Sequence, residues 1–397
     1  MSNNNGKFVP NIFTTASILL ASTLILMGAA AVAPALHSIS VQFPENEFII
    51  SMIISLPALS VAIFGFPMGM LADRIGMAKT FIISLAIFTV TGTMGYFAST
   101  IWELLAYRFL LGIGIAGIAT TSTALIGMYY SGMKRMQIIG LQSAAMGIGC
   151  LILETLGGVL ADIGWKEPFL VYLIGIPIIL VSLLGIRDIE FDSSEYERNV
   201  TKMDKNAVKT SKLPILFCYS MIFMSTFMMF IIPTNISEFL AGLGTDMTVV
   251  GLLLGLMGIA QGITSTLYSR LKERPNQYVV YTASFIVLGV AIALLYAENV
   301  ILAGVCIALV GVGMGIMIPT VVGELTAIAM QGNDQGKIMG GYSMAMNLGN
   351  FVSAILVTIL ITSMGYTDAF ITAAIVSVAI GILVQGVNLS KGKSVKS

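Results

Sequence analysis

Hydrophobic residues occur along this chain in twelve stretches, each about as long as a membrane-spanning helix. Such a helix needs about 20 apolar residues to cover ~30 Å of hydrocarbon at about 1.5 Å per residue. Runs of that length predict helices at 11–36, 48–71, 79–98, 101–127, 138–161, 168–186, 213–237, 248–269, 277–296, 300–329, 338–362 and 367–388. The hydrophobicity is continuous rather than alternating, which favours helices over barrel strands. The pattern therefore predicts an all-α integral membrane protein.

The composition supports this interpretation. Hydrophobic residues make up 57% of the chain and charged residues only 10%, whereas soluble domains carry about 25% charged residues. A soluble fold is therefore excluded.

Lys and Arg lie almost entirely in the loops on one side of the predicted helices. Lys7, Arg74, Lys134 and Lys391 fall on that side, whereas Lys166 is the only basic loop residue on the other. Basic loops are retained in the cytoplasm. We therefore expect a multi-pass protein of the cell (plasma) membrane with both termini cytoplasmic.

The sequence divides into two similar halves joined by a polar segment. Residues 187–212 contain six basic and six acidic residues, which is typical of a solvated linker. A shift of 200 residues places Gly140 on Gly340 and Gly149 on Gly349. We predict a six-helix bundle over 1–186, a cytoplasmic linker over 187–212, and a second bundle with a short cytoplasmic tail over 213–397. Parallel repeats of this kind are typical of carriers that open to each side in turn.

The loop after the second predicted helix carries the most specific motif, Gly69-Met70-Leu71-Ala72-Asp73-Arg74-Ile75-Gly76-Met77-Ala78-Lys79. It resembles the loop signature of the major facilitator superfamily, and the resemblance covers essentially the whole chain. It implies 12 transmembrane helices in two pseudo-symmetric six-helix bundles. It also implies that this loop latches the cytoplasmic gate, through Gly69, Asp73, Arg74, Gly76 and Lys79. Gly69 would allow close helix approach, and Asp73 could face a helix N-terminus.

Two further segments resemble transport motifs of this family. The segment from Arg108 to Ala116 is similar to one whose arginine is linked to proton-coupled transport. The fifth helix resembles the antiporter signature, with Leu153-Glu154 where Gly-Pro is usual, and this implies export. Its matching glycines are Gly140, Gly149, Gly157 and Gly158.

Arg108 and Glu154 should lie at similar depth in neighbouring helices. An unpaired ion in hydrocarbon costs at least ~2.5–3.5 kcal/mol, so each should face a partner in the protein interior. We predict that the two residues pair in at least one state, and that protonation of Glu154 frees Arg108 during transport. The alternative is a permanent structural pair.

Helices one, four, seven and ten line the central cavity in the family that this chain resembles. Glu324 could be a second proton or cation site, part of a gate, or structural. Asn235 and Glu238 could line a vestibule or lie at the membrane interface. His37 could be a solvated loop residue or a pH sensor. The residues assigned to the substrate cavity are Pro34, Arg108, Gly112, Pro233, Asn235, Glu238 and Glu324.

These features favour a secondary active transporter that exports a lipophilic or amphipathic small molecule in exchange for protons. The 25 Met and 20 Phe could form a deformable apolar cavity. Coupled uptake of a small metabolite and a non-transporting membrane receptor or scaffold are the alternatives. The sequence has no nucleotide loop, metal cluster or nucleophile and base arrangement, so we expect no enzyme activity, metal or cofactor. The expected partners are the substrate, protons and the lipid bilayer, without nucleic acid, and the protein is expected to be a monomer.

Overall fold

The computed structural model describes residues 10–43, 47–130, 132–187, 212–269, 276–332 and 335–394. Nearly all of the predicted linker at 187–212 lies outside these residues. Within them, all of the regular secondary structure is helical. Eleven helices in this part of the chain are long and apolar enough to cross a membrane. The predicted all-α architecture of twelve spans in two bundles is confirmed, with one irregular span.

That irregular span is the first. The prediction of one helix over 11–36 differs from the structure, which has four short elements: α1 Ile12–Thr23, α2 Met27–Ala30, a 3-10 turn Ala33–Ala35 and α3 Leu36–Gln42. Pro34 has no backbone N–H and lies in the 3-10 turn, so it interrupts the α-helical hydrogen bonds here.

The other five spans of the first half are more regular. They are α4 Glu47–Ile75, α5 Met77–Met94, α6 Ile101–Tyr129, α7 Gly132–Ile163, and a 3-10 segment Glu167–Ile174 that continues as α8 Gly175–Gly185. Pro177 in the first turn of α8 has no N–H to bond to the preceding turn, which accounts for the change of helix type.

The second half contains six long helices. They are α9 Lys212–Gly242, α10 Met247–Ser269, α11 Gln277–Ala293, α12 Val300–Gly332, α13 Gln335–Met364 and α14 Tyr366–Ser394. Each covers one predicted span, with ends that differ by a few residues.

The two halves pack their helices in the same pattern. In the first half α4 and α5 both pack on α6, and α1 packs on α7; in the second half α10 and α11 pack on α12, and α9 packs on α13. The halves meet along two seams, α7 against α10 and α13 against α4. The two seams are therefore formed by equivalent helices, with the roles of the two halves exchanged. We call the end of the molecule that holds Ile12 and Ser394 the terminal end, and the opposite end the distal end.

The outer surface carries large apolar side chains. Phe66, Trp102 and Leu383 are 73%, 65% and 70% exposed. Such exposure suits hydrocarbon and would favour aggregation in water. The surface therefore agrees with the membrane location expected from the sequence.

Gly112, one of the residues assigned to the cavity from the sequence, allows α6 to pack closely on α4. A Cβ atom at Gly112 would lie 2.5 Å from the Pro57 carbonyl oxygen and 2.5 Å from the Ser60 Cβ. Helix backbones approach this closely only where side chains are absent. The residue therefore sets the packing between these two helices.

We expect Gly112→Ala to lower the free energy of unfolding by about 1–3 kcal/mol, because the added methyl group overlaps backbone atoms of α4. Gly65→Ala is the matched control, since a Cβ there meets nothing within 4 Å. Its effect should be neutral or slightly stabilising, because Ala favours helix by about 1 kcal/mol. Thermal unfolding in detergent measures both. Equal stability of the two variants would contradict this packing role.

Candidate functional site

The break in the first span leaves backbone carbonyls without helical partners. The four-residue helix α2 lies between irregular turns at residues 24–26 and 31–32. The last carbonyls of any helix have no intrahelical donor. Gly28 lies in this position, and its carbonyl accepts from the Arg108 guanidinium instead. An unpaired carbonyl in hydrocarbon would cost several kcal/mol, so this bond stabilises the broken span.

Arg108 on α6 binds three groups from three other parts of the bundle. Its side chain is only 2% exposed. Nε donates to the Ile53 carbonyl at 2.7 Å, Nη1 donates to the Tyr172 hydroxyl at 2.6 Å, and Nη2 donates to Gly28. Ile53 precedes Pro57 by four residues, so its carbonyl also lacks a helical N–H donor. Arg108 thus satisfies carbonyls released at irregularities in two different helices.

These partners of Arg108 are neutral. The guanidinium is stabilised by the negative ends of carbonyl and hydroxyl dipoles, which can offset the cost of burying a cation when its donors are bonded. The arrangement holds the first span, α4 and α6 together at one point.

Tyr172 completes this cluster from the 3-10 segment before α8. Its hydroxyl accepts from Arg108 and donates to the Met27 carbonyl at 3.2 Å. Its ring packs edge-on against Phe88, with centroids 5.4 Å apart. A Cβ on Gly92 would overlap the same ring. Packing therefore fixes the hydroxyl between Arg108 and the broken span.

Glu154 lies on α7 in a different environment. Its side chain is 2% exposed, and its Oε2 atom has no hydrogen-bond partner among the described residues. The neighbouring polar group is the Cys150 thiol, one turn earlier on the same helix. A carboxylate with so few partners is costly to bury, whereas a neutral carboxyl group costs much less.

Arg108 and Glu154 lie on either side of the broken first span. Gly149 of α7 packs against Thr23, and Gly157 packs against Ala31. This regular spacing places Glu154 level with Gly28, which Arg108 binds on the other side. The similar depth expected from the sequence therefore agrees with the packing. The predicted pair itself is not formed in this conformation, in which the Arg108 guanidinium bonds to Gly28, Ile53 and Tyr172 instead.

Glycines bring α7 and α10 into close antiparallel contact along the seam between the halves. Gly158 packs against Met247, and a Cβ on Gly251 would overlap the Glu154 carbonyl. Gly255 packs against Leu151, and Gly147 faces the Gly258 carbonyl, with its Cβ position 3.4 Å away. Glu154 is therefore part of the surface at which the two halves separate or join.

Hydrogen bonds also join the two halves at the distal end. Ser237 on α9 donates to the Pro34 carbonyl at 2.6 Å. Ser40 donates to Glu238 at 3.2 Å, and His37 Nδ1 lies 3.9 Å from the same carboxylate. On α7, Asp162 accepts from the first residues of α10. The distal end is closed in this conformation.

Several predicted residues fall at this distal contact or deeper in the bundle. His37 lies in the helix α3 and not in a loop, and its side chain, which is 38% exposed, faces Glu238. Asn235 is buried and donates to the Ile231 carbonyl and the Thr234 hydroxyl. Pro233 lies within α9, opposite the interrupted Pro34 region. These residues form the closed distal contact and its support.

Glu324 lies near the terminal end of α12, inside the second bundle. With its amide nitrogen facing the carboxylate, Gln277 donates to both Glu324 oxygens at 2.6 Å. Gln277 is the first residue of α11. This anchors α12 to the start of α11, at a distance from Arg108 and Glu154.

The loop motif forms the sharp turn between α4 and α5. Gly76 has φ 104°, a backbone conformation that favours glycine. Gly69 faces Thr120 of α6, and a Cβ there would be in ordinary van der Waals contact at 3.6 Å. Arg74 and Lys79 are exposed, and the side chain of Asp73 lies outside the described residues. The close helix approach expected at Gly69 stays a prediction.

Sequence reasoning missed four residues of this region. Tyr172 bonds to Arg108, and the Cys150 thiol lies beside Glu154. Pro57 lies four residues after Ile53 in α4, and Asp162 bonds across the two halves. Pro57 had a usable signal, because a proline within a helix releases the carbonyl four residues earlier. The other three had no signal in a single sequence.

Comparison with known proteins identifies the family. The Major Facilitator Superfamily profile matches residues 18–230 and 215–390. An uncharacterised MFS-type transporter of Methanocaldococcus jannaschii is 23% identical over 393 residues, covering 95% of this chain and 98% of that protein. A multi-drug resistance efflux pump PmrA homologue of Lactococcus lactis is 25% identical, covering 74% of each. A putative niacin/nicotinamide transporter of Bacillus subtilis is 29% identical over 29% of each chain.

Solved structures show the same fold. A bacterial homologue of the human lysosomal transporter Spinster, in an inward-facing and occupied conformation, superposes with a TM-score of 0.74 and 14% identity over 96% of each chain.

We expect Tyr172→Phe to lower the free energy of unfolding by about 1–3 kcal/mol, because it removes the hydroxyl that Arg108 and the Met27 carbonyl share. Tyr296→Phe, at a side chain 61% exposed, removes the same atom without a buried partner and should have little effect. Chemical unfolding in detergent compares the two. Equal losses would show that the Tyr172 hydroxyl does not support the broken span.

Proposed function

This chain belongs to the major facilitator superfamily of membrane transporters, and from that premise we propose that it exports lipophilic or amphipathic small molecules in exchange for protons. The proposal rests on alternating access of a central cavity between the two halves. With the termini in the cytoplasm, as the basic loops indicate, the closed distal end faces outward.

The proposed proton coupling is supported mainly by one observation, the burial of Glu154 in the seam between the halves. An ionised carboxylate there would have to find a cation or several donors, and Oε2 has no partner among the described residues. We therefore assign a proton to Glu154 in this conformation. When α7 and α10 separate, water reaches the group and it can ionise. Proton binding is thereby linked to which end of the transporter is open.

Because the first span is broken, ionisation of Glu154 would be linked to movement of the segment Met27–Ala30. The segment Met27–Ala30 packs on both α6 and α7. Its Gly28 carbonyl, like the Ile53 carbonyl of α4, accepts from Arg108. Ionised Glu154 would compete with those carbonyls for the guanidinium, because charge-assisted bonds are roughly twice as strong as neutral ones. Pairing in another state would therefore require this segment to move. Arg108 is thus a positioning group in the closed form and a partner of Glu154 in another.

Glu324 and the loop from Gly69 to Lys79 take other roles in this proposal. Glu324, anchored by Gln277, lies at the terminal end and is a second candidate proton site on the cytoplasmic side. The loop joins α4 to α5 at the same end and would latch the cytoplasmic gate when the distal end opens.

The substrate class is supported by the scarcity of free polar groups. Arg108 and Asn235 are buried and hydrogen-bonded within the protein, and Gly112 packs against α4. Relatives named as multidrug efflux pumps agree with export of apolar compounds. Glu154 would also suit a lipophilic cation, which could take the place of the released proton.

We expect Glu154→Gln to abolish the response of export to an imposed pH gradient, with a loss of about tenfold or more, because an amide cannot release a proton. The measurement is substrate efflux from proteoliposomes with and without the gradient. Glu103→Gln is the matched control, since Glu103 is exposed and glutamine serves equally in its capping box. Gradient-driven export that survives in Glu154→Gln would remove Glu154 from the coupling mechanism.

We expect lipophilic cations to raise the thermal stability of the wild-type protein, because a ligand of the folded state stabilises it according to its affinity. A screen of varied ligands by thermal shift tests this directly. Stabilisation confined to one family of polar metabolites would contradict the assigned substrate class and favour uptake.

A further inference from the structure

Asp162 forms a hydrogen-bonded cap across the seam between the two halves. It lies in the last turn of α7, in the first half. Its Oδ1 accepts from the Met247 N–H at 2.9 Å, and its Oδ2 accepts from the Thr248 N–H at 3.0 Å. The Thr248 hydroxyl donates to Oδ2 at 2.5 Å. Met247 and Thr248 are the first two residues of α10, in the second half.

The cap satisfies donors that the helix itself leaves unpaired. The first N–H groups of a helix have no intrahelical acceptor, and the helix dipole favours a negative charge at that end. Asp246, immediately before α10, uses its backbone carbonyl to accept from Val249 and Val250. The first two N–H groups therefore receive their acceptor from the other half of the protein. Bonds to an ionised acceptor are stronger than bonds between neutral groups.

The position of the cap links it to opening. It lies one turn beyond the contact of Gly158 with Met247, at the distal limit of the glycine seam. Opening of the distal end must move the last turn of α7 away from the start of α10. All three hydrogen bonds are lost in that movement, and the freed groups must be satisfied by water.

We propose that Asp162 is the latch of the distal gate, and that its bonds to Met247 and Thr248 set the equilibrium between the distal-closed and distal-open conformations. This inference rests on the alternating-access transport proposed above. It requires neither a particular substrate nor proton coupling. The contacts of Ser237 and Glu238 with the first span join other helices, so they remain when Asp162 is changed and the closed form keeps part of its stability.

Distances between spin labels across the distal end test the latch in nanodiscs without substrate or gradient. Val41→Cys and Tyr296→Cys place one label on each half, at side chains that are 71% and 61% exposed. The three native cysteines are buried and can stay in place. Pulsed electron resonance then gives the populations of short and long distances.

Asp162→Asn should raise the ratio of open to closed molecules roughly fivefold to tenfold, because a neutral amide is a weaker acceptor and cannot match both N–H groups and the hydroxyl. Asp246→Asn is the matched control. It removes the same charge from an exposed position next to the same helix end, without removing a bond between the halves, and its distance distribution should equal that of the wild type.

Thr248→Val provides an independent variant that loses only the hydroxyl bond, with a shift in the same direction of about twofold to fivefold. If Asp162→Asn does not fold into a monodisperse protein, the distance distribution of Thr248→Val tests the latch instead. Identical distributions in Asp162→Asn and Asp246→Asn, or an unshifted Thr248→Val, would overturn the latch. Because the labels report conformation alone, a failure here is distinguishable from a failure of Glu154 in the transport assay.

Discussion

The structure depends on one constraint, that a polar group within hydrocarbon must find a partner or lose its charge. Membrane spans meet this constraint for their backbone by being helical. The first span and α4 depart from it at Gly28 and Pro57, and Arg108 supplies the donors that the interrupted helices lack. A cation is held in the membrane by carbonyl oxygens, and the irregular helices are held by the cation.

The same constraint explains why Arg108 and Glu154 behave differently. Arg108 donates to two backbone carbonyls and the Tyr172 hydroxyl, so its guanidinium is hydrogen-bonded without a carboxylate. Glu154 has the Cys150 thiol as its polar neighbour, and within the described part of the chain its Oε2 has no hydrogen-bond partner. Losing its charge is then the remaining solution. A group that is neutral when two surfaces meet and can ionise when they part is suited to linking proton binding to conformation.

The seam between α7 and α10 is packed through glycines and is closed by hydrogen bonds at its distal end. Glycines at 158, 251 and 255 bring α7 and α10 together over several turns without interlocking side chains. Such surfaces separate with little steric resistance, so the closed state needs directional bonds at its edge. Asp162 with Thr248 and Ser237 with Pro34 supply them at the distal end. The hydrogen bonds at the distal end stabilise the closed state. The glycine packing between α7 and α10 lets the two halves separate again.

Much of this fold was predictable, because the length of each apolar span is a local property of the sequence. Pro34 indicated an interruption of the first span, and the loop motif that contains Gly76 indicated the turn between α4 and α5. The site was predicted less well. Arg108 and Glu154 stood out as charges within apolar runs, but the partners of Arg108 depend on the path of Met27–Ala30, which follows from packing against several helices. Tyr172 and Asp162 act through contacts distant in sequence, at 64 and 85 residues, and a single chain gives no signal of such pairs.

The central claim is that Glu154 is a neutral acid while the distal end is closed. Infrared difference spectroscopy of the wild type against Glu154→Gln, in lipid at neutral pH, tests it most directly. The account expects the wild type to show the carbonyl stretch of a protonated carboxylic acid that the variant lacks. A carboxylate band at this position instead, with no protonated acid lost in the variant, would contradict it.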